Sequence, residues 1–269
     1  MSLTGKSPSE TYKDIAYVDN SNNGVTTSLK QIKTGSGSST ALQVSDRSLQ
    51  VKSATNNTTA LDVQNAGGTS KLLVDTTNNY VKANGVHVNT NYAYFGKNHT
   101  DATMVANSHY AVPFGTLTYD AGYIILGSGT DPATSFSNST EAHELVAKIW
   151  YIPDSISIDK VTWFAGADTA TGDTLRCHLM SYDIDTSNGS TGGNLSNGVV
   201  VADGADITNA GYEQTYYQEM TIQSANISSG KAVLFTMRSD SVNSDYTISA
   251  TIKYHITGCL LYTSPSPRD

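Results

Sequence analysis

The chain has 269 residues, with 16 Lys and Arg against 24 Asp and Glu for a net charge of -8, and only 15% of its residues are charged. No run approaches the ~18 consecutive apolar residues of a membrane-spanning helix, and MSLTGKSPSE lacks the apolar centre of a secretory signal, so neither membrane insertion nor export by that route is expected. The acidic balance, without a Lys/Arg cluster, argues against nucleic acid as a partner, because such affinity comes largely from basic residues releasing counterions.

Ser, Thr, Asn and Gly make up roughly two-fifths of the chain, which leaves few helix formers. The 16 Tyr and the recurrent Val and Ile supply the strand-forming, surface-burying residues that disordered chains lack. The expectation is an all-β protein.

Residues 1–39 read as an anchoring segment, mildly apolar around Tyr12, Ile15, Tyr17 and Val18, followed by a flexible linker at Gly35-Ser36-Gly37-Ser38-Ser39. Residues 40–91 read as a repetitive β shaft. Thr40-Ala41-Leu42-Gln43-Val44 recurs as Thr59-Ala60-Leu61-Asp62-Val63, and strand-like stretches follow at 48–52, 71–75 and 80–82, separated by Asn56-Asn57, Gly67-Gly68 and Asn78-Asn79. So short and polar a segment rarely closes a core alone, so identical chains are expected to supply the missing apolar surface, three of them about one axis. A loosely ordered linker is the competing reading.

Residues 92–258 read as a jelly-roll-like β-sandwich head of eight or nine strands. Leu175, Cys177 and Leu179 alternate with Arg176, His178 and Met180. From Tyr246 to Ile256 alternate residues are apolar, giving one buried and one wet face. Glu141–Lys148 has a helix-like composition, but it runs into Ile149-Trp150-Tyr151-Ile152 and is expected to be a strand. Asp168 and Asp173 bracket Thr169-Ala170-Thr171-Gly172 as a hairpin end, not as a glycosidase carboxylate pair.

No catalytic motif, metal-ligand spacing or cofactor loop emerges, so the chain is expected to be a non-enzyme without metal or cofactor. Cys177 reads as a small buried hydrophobe. Asp183-Ile184-Asp185-Thr186-Ser187-Asn188-Gly189 begins like a calcium loop, but its Gly comes one place late and Asn194 stands where a bidentate Glu belongs, which favours a solvated turn. The head loops 183–197 and 203–214 nevertheless combine adaptable polar groups with Tyr212. Asp183, Asp185, Asn188, Asn194 and Tyr212 are therefore the candidate ligand-binding residues, with ordinary loop chemistry as the alternative.

The opening Leu3-Thr4-Gly5-Lys6-Ser7-Pro8 with Thr11-Tyr12-Lys13-Asp14-Ile15 resembles the N-terminus of virion structural proteins of marine tailed bacteriophages. Leu72-Leu73-Val74-Asp75-Thr76-Thr77-Asn78-Asn79 resembles the repeat of trimeric phage fibre shafts, although Tyr80-Val81-Lys82-Ala83-Asn84-Gly85 replaces the V-G-I-G-T-like run that usually comes next. Ile156–Trp163 and Tyr246–Ile256 look like the heads of the same proteins. The resemblance implies a virion-mounted homotrimer, assembled in the host bacterial cytoplasm. Its N-terminal segment would hold other virion proteins, and its head would contact a glycan or protein on the host surface. A capsid-decorating protein without receptor role and a surface-polysaccharide depolymerase are the alternatives.

Residues 259–269, CLLYTSPSPRD, match one reading frame of a transposase-type sequencing adapter over eleven consecutive codons. They are expected to be an artefact of assembly from environmental reads, which leaves Cys177 without a disulfide partner.

Overall fold

The structure, a computed structural model, describes residues 16–21, 23–99, 104–115, 123–139, 141–168, 171–211, 213–241 and 245–257. Residues 1–15 and 22 of the expected virion anchor, and the 259–269 string, lie outside them. The chain divides into two compact units, Met1–Val88 and Asn89–Asp269.

The first unit is two antiparallel meanders. One joins β1 (Ala16–Val18), β2 (Lys30–Thr34), β3 (Ser39–Val44) and β4 (Leu49–Val51); the other joins β5 (Leu61–Gln64), β6 (Ser70–Asp75), β7 (Tyr80–Ala83) and β8 (Val86–His87). The Gly35–Ser39 stretch is not a linker. It forms the turn between β2 and β3, where Gly37 takes φ +86° and its N–H donates to the Thr34 carbonyl at 2.8 Å, a conformation other residues rarely adopt. The sequence repeat is likewise not a repeat of structure. Its first copy forms the third strand of one meander and its second copy leads into the first strand of the next.

Among the described residues of this unit no apolar side chain is buried. Leu49 is 68% exposed and Val63 48%, while Ser45 and Asp75 are enclosed. Asp75 turns the chain between β6 and β7 by accepting the N–H groups of Thr77 and Asn78. Hydrogen bonds and turns shape this unit, and its described residues form no hydrophobic core of their own.

The second unit is a two-sheet sandwich. Its elements are β9 (Thr90–His99), β10 (His109–Val112), α1 (Ala142–Val146), β11 (Trp150–Tyr151), β12 (Ile156–Asp168), β13 (Thr174–Ile184), β14 (Leu195–Asp203), β15 (Ile207–Thr208), β16 (Gln214–Glu219), β17 (Thr221–Ile222), β18 (Asn226–Ile227), β19 (Lys231–Ser239) and β20 (Asp245–Ile256). One sheet runs β16-β12-β20-β9, with β18 beside β12. The other runs β10-β19-β13-β14-β17, with β11 beside β19 and β15 beside β13. Among the described strands the eight longest of this unit pair as nested partners: β9 with β20, β10 with β19, β12 with β16, and β13 with β14. One long hairpin, rolled so that its successive pairs alternate between sheets, is a jelly roll.

The main core lies between the sheets, where Phe95, Trp163, Ile248 and Ile252 meet Leu179, Val201 and Phe235. A second core covers the opposite face of the β13 sheet, with Met180, Tyr182 and Leu234 under Ile124, Leu126 and Leu145. The β13 sheet is therefore buried on both faces, while the β12 sheet keeps one face open.

Two expectations are corrected here. Glu141–Lys148 is not a strand: Ala142–Val146 forms a single helical turn that drives Leu145 into the second core and leaves Val146 outside. Burial of one side chain decides this, over the strand propensity of Ile149-Trp150-Tyr151-Ile152. Asp168 and Asp173 do not close a hairpin either, because β12 and β13 belong to different sheets and the connection between them crosses the sandwich.

Candidate functional site

Alternation along β9, β12, β16 and β20 decides what the open face displays. Inward go Phe95, Trp163, Ala165, Ile248 and Ala250; outward go Tyr94, Phe164, Gly166, Tyr217, Ser249 and Thr251. Register then assembles rows across the sheet. Tyr217 pairs with Phe164, Phe164 with Ser249, and Ser249 with Gly96; beside them Glu219, Thr162, Thr251 and Tyr94 form the next row.

The face thus has aromatic walls and a low floor. On one side the Phe164 and Tyr217 rings lie 4.9 Å apart, and both are more than half exposed. On the other stand Tyr92 and Tyr94, also more than half exposed. Between them run Thr162, Ser249, Thr251 and Gly96, and Gly166 lies one row beyond Phe164, paired with Thr215 and Thr247. Two strand spacings separate β12 from β9, about 9–10 Å. One end is charged, where Lys160 Nζ meets Glu219 at 2.6 Å and His255 Nδ1 meets Asp159 at 2.9 Å. Glu219 raises the Lys160 pKa by accepting its hydrogen bond.

Gly166 has no internal reason to be glycine. Its φ is not in the left-handed region, and a Cβ built on it would meet nothing within 4 Å. Glycine inside a strand weakens it, and such glycines often mark where a ligand approaches the backbone closely.

The sequence-derived residues lie elsewhere, at the β13–β14 hairpin. Asp183 bonds Lys231 Nζ at 2.5 Å and Asn197 Nδ2 at 2.7 Å, and both contacts lower its pKa. Asp185 accepts the Ser187 N–H, which lowers its pKa in turn, and Asn194 Oδ1 accepts the Asn138 N–H at 2.7 Å. The structure brings Asp183, Asp185 and Asn194 into one loop and uses their polar atoms to build it. Asn188 is exposed at its tip, and Tyr212 lies outside the described residues. Residue patterns alone do not single out the aromatic face, although the wet side of the Tyr246–Ile256 alternation is its visible signal.

Asp131, His178 and Asp203, on three separate segments, also come within 4.8 Å of one another at the opposite sheet.

No protein-family profile matches the chain, and no curated protein matches it in sequence. A solved structure of infectious bursal disease virus, Gx strain, overlaps 70% of this chain and 64% of its own at 11% identity and a TM-score of 0.28. The CBM22-1–GH10 modules of Clostridium thermocellum endo-1,4-β-D-xylanase 10B, complexed with xylohexaose, overlap 62% of this chain and 26% of theirs at 12% identity and a TM-score of 0.23. The chain therefore spans less than two thirds of either, and overlaps of this size assign no function.

Proposed function

We propose that the chain is a non-enzymatic virion structural protein of the fibre or appendage type, a homotrimer whose jelly-roll head attaches to glycan on a host-cell surface through the open face of the β12 sheet. The observation that carries the binding role is the pair of exposed aromatic walls, with Gly166, a strand glycine without internal cause, in the row next to Phe164. Flat rings and hydroxyl side chains over a low floor suit a sugar, whose C–H face stacks on aromatics while its hydroxyls find hydrogen-bond partners. Jelly rolls serve both as capsid and as lectin domains, which agrees with this reading at the level of fold analogy.

The first unit supports the trimer. Its exposed Leu and Val side chains would gain cover from another chain, and closing two meanders against copies would also protect their edge strands. Three heads on one stalk multiply weak contacts by raising effective concentration. The N-terminal segment then attaches to other virion proteins, as the resemblance to marine phage proteins implies.

A glycan array with the purified full chain, alongside Phe164→Ala and Tyr217→Ala, tests the reading. The wild type should bind a defined sugar class, and each variant should lose at least tenfold in apparent affinity. Absence of glycan binding, or binding that both variants retain, would sink it.

A further inference from the structure

His178 sits in the middle of β13 on the face turned away from the sandwich core, yet it is fully buried. Two features enclose it. Asp203 of β14 lies directly opposite in register. The segment 126–134 folds over the ring and is pinned there by backbone bonds from His109 to Gly127, Leu126 to His109 and Gly198 to Thr134. The Tyr182 hydroxyl also donates to the Ala133 carbonyl at 2.9 Å. Asp131, on this cover segment, hangs its carboxylate over the imidazole.

Neither ring nitrogen of His178 makes a hydrogen bond among the described residues. Nε2 lies 3.1 Å from Asp203 Oδ1 and 3.4 Å from Asp131 Oδ1, without hydrogen-bond alignment to either. Those separations suit a shared ion: two ligand atoms ~2.0–2.2 Å from one zinc at the tetrahedral angle lie about 3.3–3.5 Å apart. Asp203 is held in place by Arg176, whose Nε and Nη2 donate to Oδ1 at 3.1 and 2.8 Å and whose Nη2 also donates to Oδ2 at 2.7 Å, and Gln223 Nε2 donates to Oδ2 at 3.4 Å. The two bonds to Oδ2 lie behind the ligating oxygen, the kind of support metal sites require. Asp131 is half exposed and pairs with no lysine or arginine among the described residues, so its side of the cluster faces water.

We propose that His178 Nε2, Asp203 Oδ1 and Asp131 Oδ1 bind a divalent transition-metal ion of the zinc type, completed by water, which clips the 126–134 cover segment to the β13–β14 hairpin. One imidazole and two carboxylates match zinc and its neighbours better than calcium or magnesium, which take oxygen ligands alone. The ion's role is structural. Desolvation keeps the imidazole uncharged at neutral pH, the state in which it can bind metal. Ligands 47 and 25 residues apart in sequence leave no spacing motif, which is why residue spacing alone gives no sign of the site.

The test is zinc titration of chelator-treated full-length protein by calorimetry, with cobalt(II) absorption as a second readout. Asp131→Ala removes one ligand from an exposed position and leaves the packed ring alone; His143→Ala, an exposed histidine elsewhere, is the control. The expected result is one zinc per chain, at least tenfold weaker in Asp131→Ala and unchanged in His143→Ala. Magnesium should not compete, and the cobalt band should shift only in the Asp131 variant. No stoichiometric zinc, equal binding by Asp131→Ala, or loss in His143→Ala would overturn the proposal.

Discussion

The imidazoles of His109 and His178 meet edge to face, 5.0 Å apart, and both are fully buried. Burial first, and His109 second, lower the His178 pKa to about 4, with Arg176 adding to the effect and Asp203 and Asp131 opposing it. Burial also lowers His109, against its bond to the Gly129 carbonyl. Both folded values lie below the unfolded 6.5, so the unfolded chain binds more protons on the acid side. Stability is complete above pH ~6.5 and is lost as the pH falls through about 4, by roughly 3 kcal/mol for His178 alone. Urea midpoints of chelator-treated protein between pH 7.5 and 4 should show that slope. A flat profile would contradict it.

Gly166→Val should separate stability from binding. Space above the residue is open and its backbone is ordinary strand, so a β-branched side chain fits and should stabilise the head by up to ~1 kcal/mol. The same side chain raises the floor beside Phe164 and should weaken glycan binding at least tenfold. Thermal denaturation and the glycan array, run on one preparation, check both halves.

Trp163, fully buried in the main core, carries an indole N–H without a hydrogen-bond partner among the described residues. Trp163→Ala should cost about 3–5 kcal/mol through the cavity it leaves. Trp163→Phe should cost far less, because it removes the unpaired donor, itself a penalty of about 1–3 kcal/mol, together with part of the ring. Equal losses for the two variants in urea unfolding would show that the N–H is satisfied.

Leu49→Asp with Val63→Asp probes assembly. In a lone chain both side chains face solvent, and such changes alter stability by no more than about 0.5 kcal/mol. In a trimer they place charges in an apolar seam. Light scattering should report three chains for the wild type and one for the double variant; a monomeric wild type would end the trimer reading.

The head is legible in the sequence because its strands carry their burial in plain alternation. Leu175, Cys177 and Leu179 face the main core, as do Tyr246, Ile248, Ala250 and Ile252. The features that local patterns miss depend on distant parts of the chain. Glu141–Lys148 becomes a helical turn because Leu145 finds a pocket formed by β13 and β19, and Gly35–Ser39 becomes a turn because β2 and β3 pair on either side of it. The open face is likewise set by register: nothing local to Phe164 says that Tyr217, 53 residues later, will lie beside it.

Nested pairing also fixes an order of events. β20 is the centre of the open face, flanked by β12 and β9, and among the described strands β9 has no other partner in its sheet. During synthesis β9 emerges first; residues 113–115 can bridge to it early, but its full-length partner β20 arrives only after almost the whole head. Pairings so distant in sequence close slowly, on the millisecond-to-second scale of β-sandwiches. Until then Trp163 and Phe95 lack their inner neighbours on β20, and the aromatic walls stand on unconnected strands. Under the proposed attachment role, recognition would be coupled to completion: a chain stalled or cleaved before residue 245 would lack the strand that joins the aromatic walls into one face.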